Sequence, residues 1–424
     1  MSHTVRFRGA GAGTVIGCTL LVTALGAGLT ACSSDSESLS ARPYDAADRI
    51  SFNAPTGSGK KADPDKPLEV SATGDDRITD VTAMDATGRY VTGELAADGS
   101  RWHSTSPLAA NAHYTVRVST EGEDGAPGRK VLDFDTTKPT AKKALDVTFG
   151  PKTGEYGVGQ PITADLSQPV RDKAQRALVE RSLQVDSVPG VAGAWYWVND
   201  KQLHYRPKEY WPTHATIQVR SNLEGVKISD RLRGGTGKPL KITTGDQIIA
   251  VTDAATHSMK VYKNGAVIKE IPITTGKPGF ETRNGVKVIL GKEYFVRMRG
   301  TTVGIAEGTS DSYDLPVYYA TRVTWSGEYV HAAPWSVGSQ GAANVSHGCT
   351  GMSTGNAEWF FNTVREGDIV QVVNSNGQEM TPFDNGFGDW NVPWEKWRGG
   401  SALMAGTPDT QRPEDMARLQ PTAL

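Results

Sequence analysis

Ser346-His347-Gly348-Cys349-Thr350-Gly351, with His331 upstream in Glu328-Tyr329-Val330-His331, is the stretch on which the reading of this chain turns. A free thiol titrates near 8.5, so it needs a base or an electropositive site to become a thiolate at neutral pH. Histidine is the usual supplier. Gly348 permits a tight turn that brings amide N–H groups toward a substrate oxygen. A nucleophile, a base and an oxyanion hole thus fall within one short stretch. Two other readings of the same residues stay open. His347 and Cys349 could face one metal, although no acidic residue or further cysteine is spaced nearby to complete a zinc site. The thiol could also be inert and buried, although the loop lacks the apolar character of a core segment.

Working outward, Ser326-Gly327 reads as a turn and Glu328-Tyr329-Val330 as a short strand that delivers His331. After Cys349, Ser353 or Thr354 caps a helix whose Ala357, Phe360, Phe361 and Val364 follow the i, i+3, i+4, i+7 rule. Gly367 stops it, and Ile369 to Val373 returns as a strand. The cysteine therefore lies in a loop just before a helix. Upstream, Ile248 to Val251 is a strand, and Met259 to Tyr262 with Ala266 to Ile268 forms a hairpin around Asn264-Gly265. This third module spans 246–375.

Two further modules precede it. Residues 48–142 carry short alternating strands such as Tyr114-Thr115-Val116-Arg117-Val118, separated by turn signals at intervals expected of an immunoglobulin-like β-sandwich. Residues 143–245 form a second such module, with a helix over Arg171 to Arg181 that turns Ala174, Ala177 and Leu178 inward. Its Trp195 and Trp197 alternate with Tyr196 and read as core or interdomain packing rather than a sugar platform. Residues 376–402 are a tryptophan-rich extension, and 403–424 a polar tail.

The N-terminus accounts for the other two cysteines. Arg6 and Arg8 precede a small-residue apolar run from Ala10 to Gly28, so residues 1–31 read as a signal peptide. Leu29-Thr30-Ala31-Cys32 resembles the bacterial lipobox, which implies cleavage before Cys32 and its lipidation. Residues 32–47 then form a polar linker. The expected location is the outer face of the cell membrane, by a lipid anchor. An unpaired cysteine in an exported protein is itself a sign of a reactive thiol.

Composition sets bounds. The 424 residues allow two to four domains. A formal charge of −2 gives no field for polyanions, and no basic stretch is interleaved with aromatics, so nucleic acid is not an expected partner. Beyond the signal there is no second run of about 20 apolar residues to span a membrane. With 47 glycines, 23 prolines and β-branched residues in short runs, a mainly β exported protein is expected.

Val330-His331 through Ser346-His347-Gly348-Cys349 closely resembles the catalytic motif of the L,D-transpeptidases, the YkuD family. Ile273-Thr274-Thr275-Gly276-Lys277-Pro278-Gly279, Thr282-Arg283-Asn284-Gly285 and Gly367-Asp368-Ile369-Val370 add to the match. So does the domain order, which is similar to that of actinobacterial members: two immunoglobulin-like sandwiches, a β-rich YkuD-type domain with a short helix after the cysteine, and a tail bearing Trp390, Trp394 and Trp397. The resemblance implies that Cys349 is the nucleophile and His331 the base. It makes His347 an organiser of the site through hydrogen bonds, with the Cys349 N–H in the oxyanion hole and Gly348 and Ser346 shaping the turn. Tyr313 aligns with a lid tyrosine, Trp335 and Ser336 shape the pocket edge, and Asn344 hydrogen-bonds within the loop. His257 has no motif around it and reads as a solvated surface histidine. No cofactor is expected.

The resemblance also implies the reaction: 3→3 cross-linking of peptidoglycan stem peptides through a cysteine thioester, with carbapenems as expected covalent inhibitors. Water in place of the acceptor amine would make the enzyme an L,D-carboxypeptidase or endopeptidase, and a degenerate site would leave a wall-binding scaffold. A sortase fits worse, for no Thr-Leu-x-Thr-Cys precedes the thiol. Three residues depart from the family pattern: Ala332 where serine is frequent, Thr350-Gly351 in place of an apolar residue and asparagine, and Arg283 where proline is common.

Overall fold

The computed structural model describes residues 42–55, 60–138 and 143–404. Cys32, the signal-like segment and most of the linker and polar tail lie outside the described residues. Where the linker was expected to run to Ala47, the chain already joins a sheet at Tyr44–Asp45, which pairs in parallel with Pro127–Asp135.

Alternating patterns become two-sheet sandwiches. In His113–Glu121 every second residue is buried, including Tyr114, Val116 and Val118, because successive side chains of a strand point to opposite faces. That strand sits in a five-stranded sheet facing a four-stranded one, around a core that includes Leu68, Val70, Trp102 and Phe134. The second sandwich pairs a six-stranded sheet with a four-stranded one. Trp195 and Trp197 enter its core, while Tyr196 faces the other way against Phe383 and Trp397.

The helix of the second sandwich is Lys173–Ser182, with Asp172 capping Gln175 N–H at 2.9 Å. Its inward face differs from the expected one. Ala174 is exposed, and Val179, Glu180 and Ser182 are buried. The Glu180 carboxylate stays inside because it accepts from Trp197 Nε1 at 3.0 Å, the Ala402 N–H at 2.8 Å and the Ser401 hydroxyl. A buried carboxylate is tolerated only when so partnered.

Two sheets also build the third module. One runs in the order Ala266–Pro272, Ser258–Lys263, Ile248–Asp253, Ile369–Val373, Gly285–Val288. Asn264 and Gly265, with φ of 50° and 84°, make the tight hairpin turn that the two-residue signal called for. The other runs Gly291–Arg299, Asp314–Arg322, Tyr329–Ala332, Thr350–Met352, its last pair parallel. Between Thr350–Met352 and Ile369–Val373 lies the helix Thr354–Thr363, capped by Ser353 and burying Ala357 and Phe360.

The extension does not trail free but straps two modules together. Arg206 of the second sandwich lies over the rings of Trp397, Trp390 and Trp394 at 4.5, 4.8 and 5.4 Å and donates to Val392 O at 2.6 Å. Trp397 is fully buried and donates to Ala194 O at 2.9 Å. Asn391 clamps Val286 of the third module, accepting from its N–H at 2.7 Å and donating to its carbonyl at 2.8 Å. Desolvated cation–π contacts of this kind are worth roughly 2 kcal/mol.

Candidate active site

The parallel pairing of Tyr329–Ala332 with Thr350–Met352 places His331 opposite Gly351 and Val330 opposite Thr350. One step earlier in that register, Cys349 stands beside Tyr329. Side chains two residues apart share a face of a sheet, so Cys349 and His331 project to the same side. There both line one cavity of about 230 Å³, with Tyr313, Trp335, Ser336, Ser346 and His347.

The loop carrying the thiol is held by the segment Ile273 to Pro278. Thr274 and Gly351 exchange both backbone hydrogen bonds at 2.9 Å, Ser346 N–H donates to Thr275 O at 3.0 Å, and Lys277 N–H donates to Ser346 O at 2.9 Å. A Cβ at Gly351 would meet Ala333 Cβ at 3.0 Å and Thr274 Cγ2 at 3.1 Å. Glycine there, one of the departures from the family pattern, permits this close approach, which a Cβ would allow only if Ala333 and Thr274 gave by a few tenths of an ångström. Gly348 turns at φ 115°, which a residue with a side chain rarely adopts. Its N–H donates to Ser346 Oγ at 3.1 Å and its carbonyl accepts from Thr282 Oγ1 at 2.8 Å. Gly348 thus shapes the turn and its own N–H is occupied. Ser346 lines the cavity, yet its hydroxyl is committed to the loop, donating to Cys349 O at 2.6 Å.

The hydrogen bonding of His331 fixes its tautomer. Nδ1 lies 2.8 Å from Ala332 O. A carbonyl can only accept, so Nδ1 carries the proton and Nε2 of the neutral ring is a free base. Burial holds His331 below the usual histidine value, the Ala332 bond opposing it. The Cys349 thiol is pushed up to about 12, by burial first, and donates to Gly327 O at 3.6 Å. The resting pair is therefore a neutral thiol and a neutral imidazole.

His347 is placed by ring contacts. Phe280 stands edge-on at 4.7 Å and Tyr313 lies at 4.9 Å. Among the described residues its Nε2 makes no hydrogen bond and is 3.8 Å from Asp311 Oδ1, where a hydrogen-bonding role was expected. Asp311 instead takes Lys277 Nζ at 2.6 Å. Burial, then Lys277, lower the His347 pKa. Trp335, half exposed, has its ring 6.1 Å from that of His331.

Two expectations are corrected. Asn344, expected to hydrogen-bond within the thiol loop, bonds to other segments instead. Its side chain accepts from Thr275 N–H and His257 Nδ1, both at 3.0 Å, and donates to Ala254 O at 2.9 Å. It ties three segments together behind the thiol loop. His257, read as a solvated surface residue, is half-buried in that tie and adopts φ 52°. Sequence reasoning also missed Phe280, Asp311, Lys287 and Glu328. For the last two a signal existed, a charge inside each of the apolar runs Val286-Lys287-Val288-Ile289 and Glu328-Tyr329-Val330. Among the described residues no three His, Cys, Asp or Glu side chains gather as a metal site.

Residues 247–372 match the L,D-transpeptidase catalytic domain and residues 59–227 the bacterial Ig domain. The chain is 36% identical over 339 residues to L,D-transpeptidase 2 of Mycobacterium tuberculosis, covering 80% of this chain and 81% of that protein. It is 30% identical over 398 residues to L,D-transpeptidase 5 of the same species, covering 91% and 85%. A solved structure of L,D-transpeptidase 3 from that species, in complex with a faropenem-derived adduct, is 30% identical, covering 55% of this chain and 98% of that one with a TM-score of 0.45. Identity at this level along four fifths of both chains, with a thiol and a histidine sharing the cavity of the catalytic module, places this chain in the L,D-transpeptidase family.

Proposed function

We propose that the chain forms 3→3 peptidoglycan cross-links, with Cys349 as nucleophile and His331 as base. The observation that carries this reading is the thiol on the same sheet face as an imidazole whose Nε2 is left as acceptor by the Ala332 bond. Cys349 Sγ attacks the carbonyl of the third residue, a diamino acid, of a tetrapeptide stem. His331 Nε2 takes the thiol proton and returns it to the amine of the departing D-alanine, leaving a thioester. A side-chain amine of a second stem attacks the thioester, gives its proton to His331 Nε2, and that proton goes back to the sulfur. With the Gly348 N–H bound to Ser346, the Cys349 N–H is the oxyanion donor. Tyr313 and His347, packed ring on ring, form one wall of the donor pocket, and Trp335 lines it beside His331. The strained carbonyl of a carbapenem acylates the same sulfur.

In the same reading, lipid on Cys32 holds the chain on the outer face of the cell membrane, and the two sandwiches give the site reach. The sequence Leu29-Thr30-Ala31-Cys32 supports this, and Cys32→Ala releases the protein from membranes. Incubation with purified disaccharide-tetrapeptide tests the reaction by mass spectrometry. A dimer short of one D-alanine supports cross-linking, tripeptide alone points to a carboxypeptidase, and unchanged substrate refutes both.

A further inference from the structure

Arg283, Glu328 and Lys287 form an ionic cluster that the chemistry of Cys349 and His331 does not use. Glu328 Oε1 accepts from Arg283 Nη1 at 2.7 Å, and Oε2 accepts from Lys287 Nζ. Lys287 is fully buried and Glu328 nearly so, while the Arg283 side chain keeps 37% exposure. Taking an ion out of water costs several kcal/mol even after relaxation, and a well-packed apolar pair is often at least as stable. Stability alone therefore does not explain an ammonium in this place.

Its location suggests what it does. Glu328 sits between Gly327, whose carbonyl accepts a hydrogen bond from the Cys349 thiol at 3.6 Å, and Tyr329, whose N–H donates to the sulfur. The cluster is thus built into the backbone turn that grips Sγ. Of the three protons an ammonium can donate, Lys287 spends one on Glu328 among the described residues. Two cations against one anion leave the cluster net positive. Burial opposes the Cys349 thiolate most, Glu328 opposes it further, and Lys287 offsets Glu328 by favouring it. Burial also lowers the Lys287 pKa, with Arg283 adding to this, while Glu328 and the thiolate favour the charged ammonium. The other titratable groups facing the sulfur or its cavity are His331, His347 and the phenols of Tyr313 and Tyr329.

We propose that Lys287, fixed by Glu328 and with Arg283 tipping the balance positive, is a positioning residue whose buried ammonium stabilises the Cys349 thiolate as its proton leaves. This rests on the reading of Cys349 as the nucleophile. Arg283, at a position where proline is common in the family pattern, shares the Glu328 carboxylate with Lys287 from the exposed side and offsets its charge there.

The test is the rate at which iodoacetamide alkylates Cys349 in the full chain at pH 8, mapped by peptide mass. Below its midpoint the thiolate fraction, and with it the rate, changes about tenfold per unit of thiol pKa. Lys287→Met slows alkylation by roughly tenfold. Lys287→Met with Glu328→Gln removes both charges and returns the rate to within about threefold of the unaltered chain. Arg283→Gln, at a partly exposed site with Glu328 still paired to Lys287, slows it by about two- to threefold. A role confined to holding the turn would leave the double variant at least as slow as the single one, and that result overturns the proposal. So does a normal rate in Lys287→Met. Should that variant fail to fold, a normal rate in Arg283→Gln overturns it instead. Cross-linking that persists in Cys349→Ala would refute the nucleophile reading, whatever the alkylation rates show.

Discussion

Ser346→Ala removes the hydroxyl that closes the thiol loop on itself. That hydroxyl accepts from Gly348 N–H at 3.1 Å and donates to Cys349 O at 2.6 Å. Each such bond is worth about 0.5–1.5 kcal/mol net, so the pair amounts to about 1–3 kcal/mol. The backbone bonds of Ser346 to Thr275 and Lys277, and the Thr282 bond to Gly348 O, remain. Hence the loss falls on the placement of Sγ and the Cys349 N–H, and the fold survives. Expressed as a rate, acylation by a carbapenem slows by roughly 5- to 150-fold. Ser346→Thr, which keeps the hydroxyl, recovers most of it. Stopped-flow fluorescence gives the acylation rate and a thermal melt the stability. A rate within about twofold of the unaltered chain, with an unchanged melt, refutes the assignment. A large drop in melting temperature with a normal rate assigns the hydroxyl to folding instead.

His331→Ala leaves the thiol but removes its proton acceptor, and acylation slows by about 10²–10⁴-fold. Because burial lowers the His331 pKa, the acid limb of the rate profile in the unaltered chain falls below pH 6.5; a midpoint above that value contradicts the geometry. Trp397→Ala empties the strap between extension and second sandwich and costs about 3–5 kcal/mol. A calorimetric scan reads this as earlier melting of the second sandwich, and unchanged melting means the strap holds nothing. For the same reason a fragment from residue 143 to 404 keeps its acylation chemistry, whereas one starting at Gly245 melts at lower temperature. Asp368 is fully buried and pushed up to about 7, by burial first and against the Arg365 N–H bond. A carboxyl raised above its unfolded value binds its proton more tightly when folded, so stability falls as pH rises from about 4 to about 7. Asp368→Asn therefore raises the melting temperature more at pH 8 than at pH 5; an equal gain at both contradicts the sign.

What could be read from the sequence was what neighbouring residues decide. Asn264-Gly265 makes its turn, Ser353 caps its helix, and the alternation around Val116 makes a half-buried strand, but the helix ends at Thr363, short of the Gly367 expected to stop it. That Cys349 and His331 work together was read from their closeness in the sequence and from family resemblance, but the parallel pairing across an intervening loop that brings them to one face leaves no local mark. Contacts between distant segments were not legible. Arg206 shows no sign of the tryptophans it meets nearly two hundred residues later, and His257 none of its bond to Asn344. Helix periodicity made Ala174 an inward residue, and the long-range bonds of Glu180 with Trp197, Ser401 and Ala402 turn a different face of the helix inward. Lys287 and Glu328 stay inside an apolar sheet because each is the other's counter-ion.

The most direct test is to quench the full chain during turnover of a disaccharide-tetrapeptide and weigh the intact protein and its peptides. The account predicts a disaccharide-tripeptide, one D-alanine short, in thioester linkage on the peptide carrying Cys349, absent from Cys349→Ala along with the cross-linked product. An adduct on any other residue, or cross-linked product from Cys349→Ala, contradicts it.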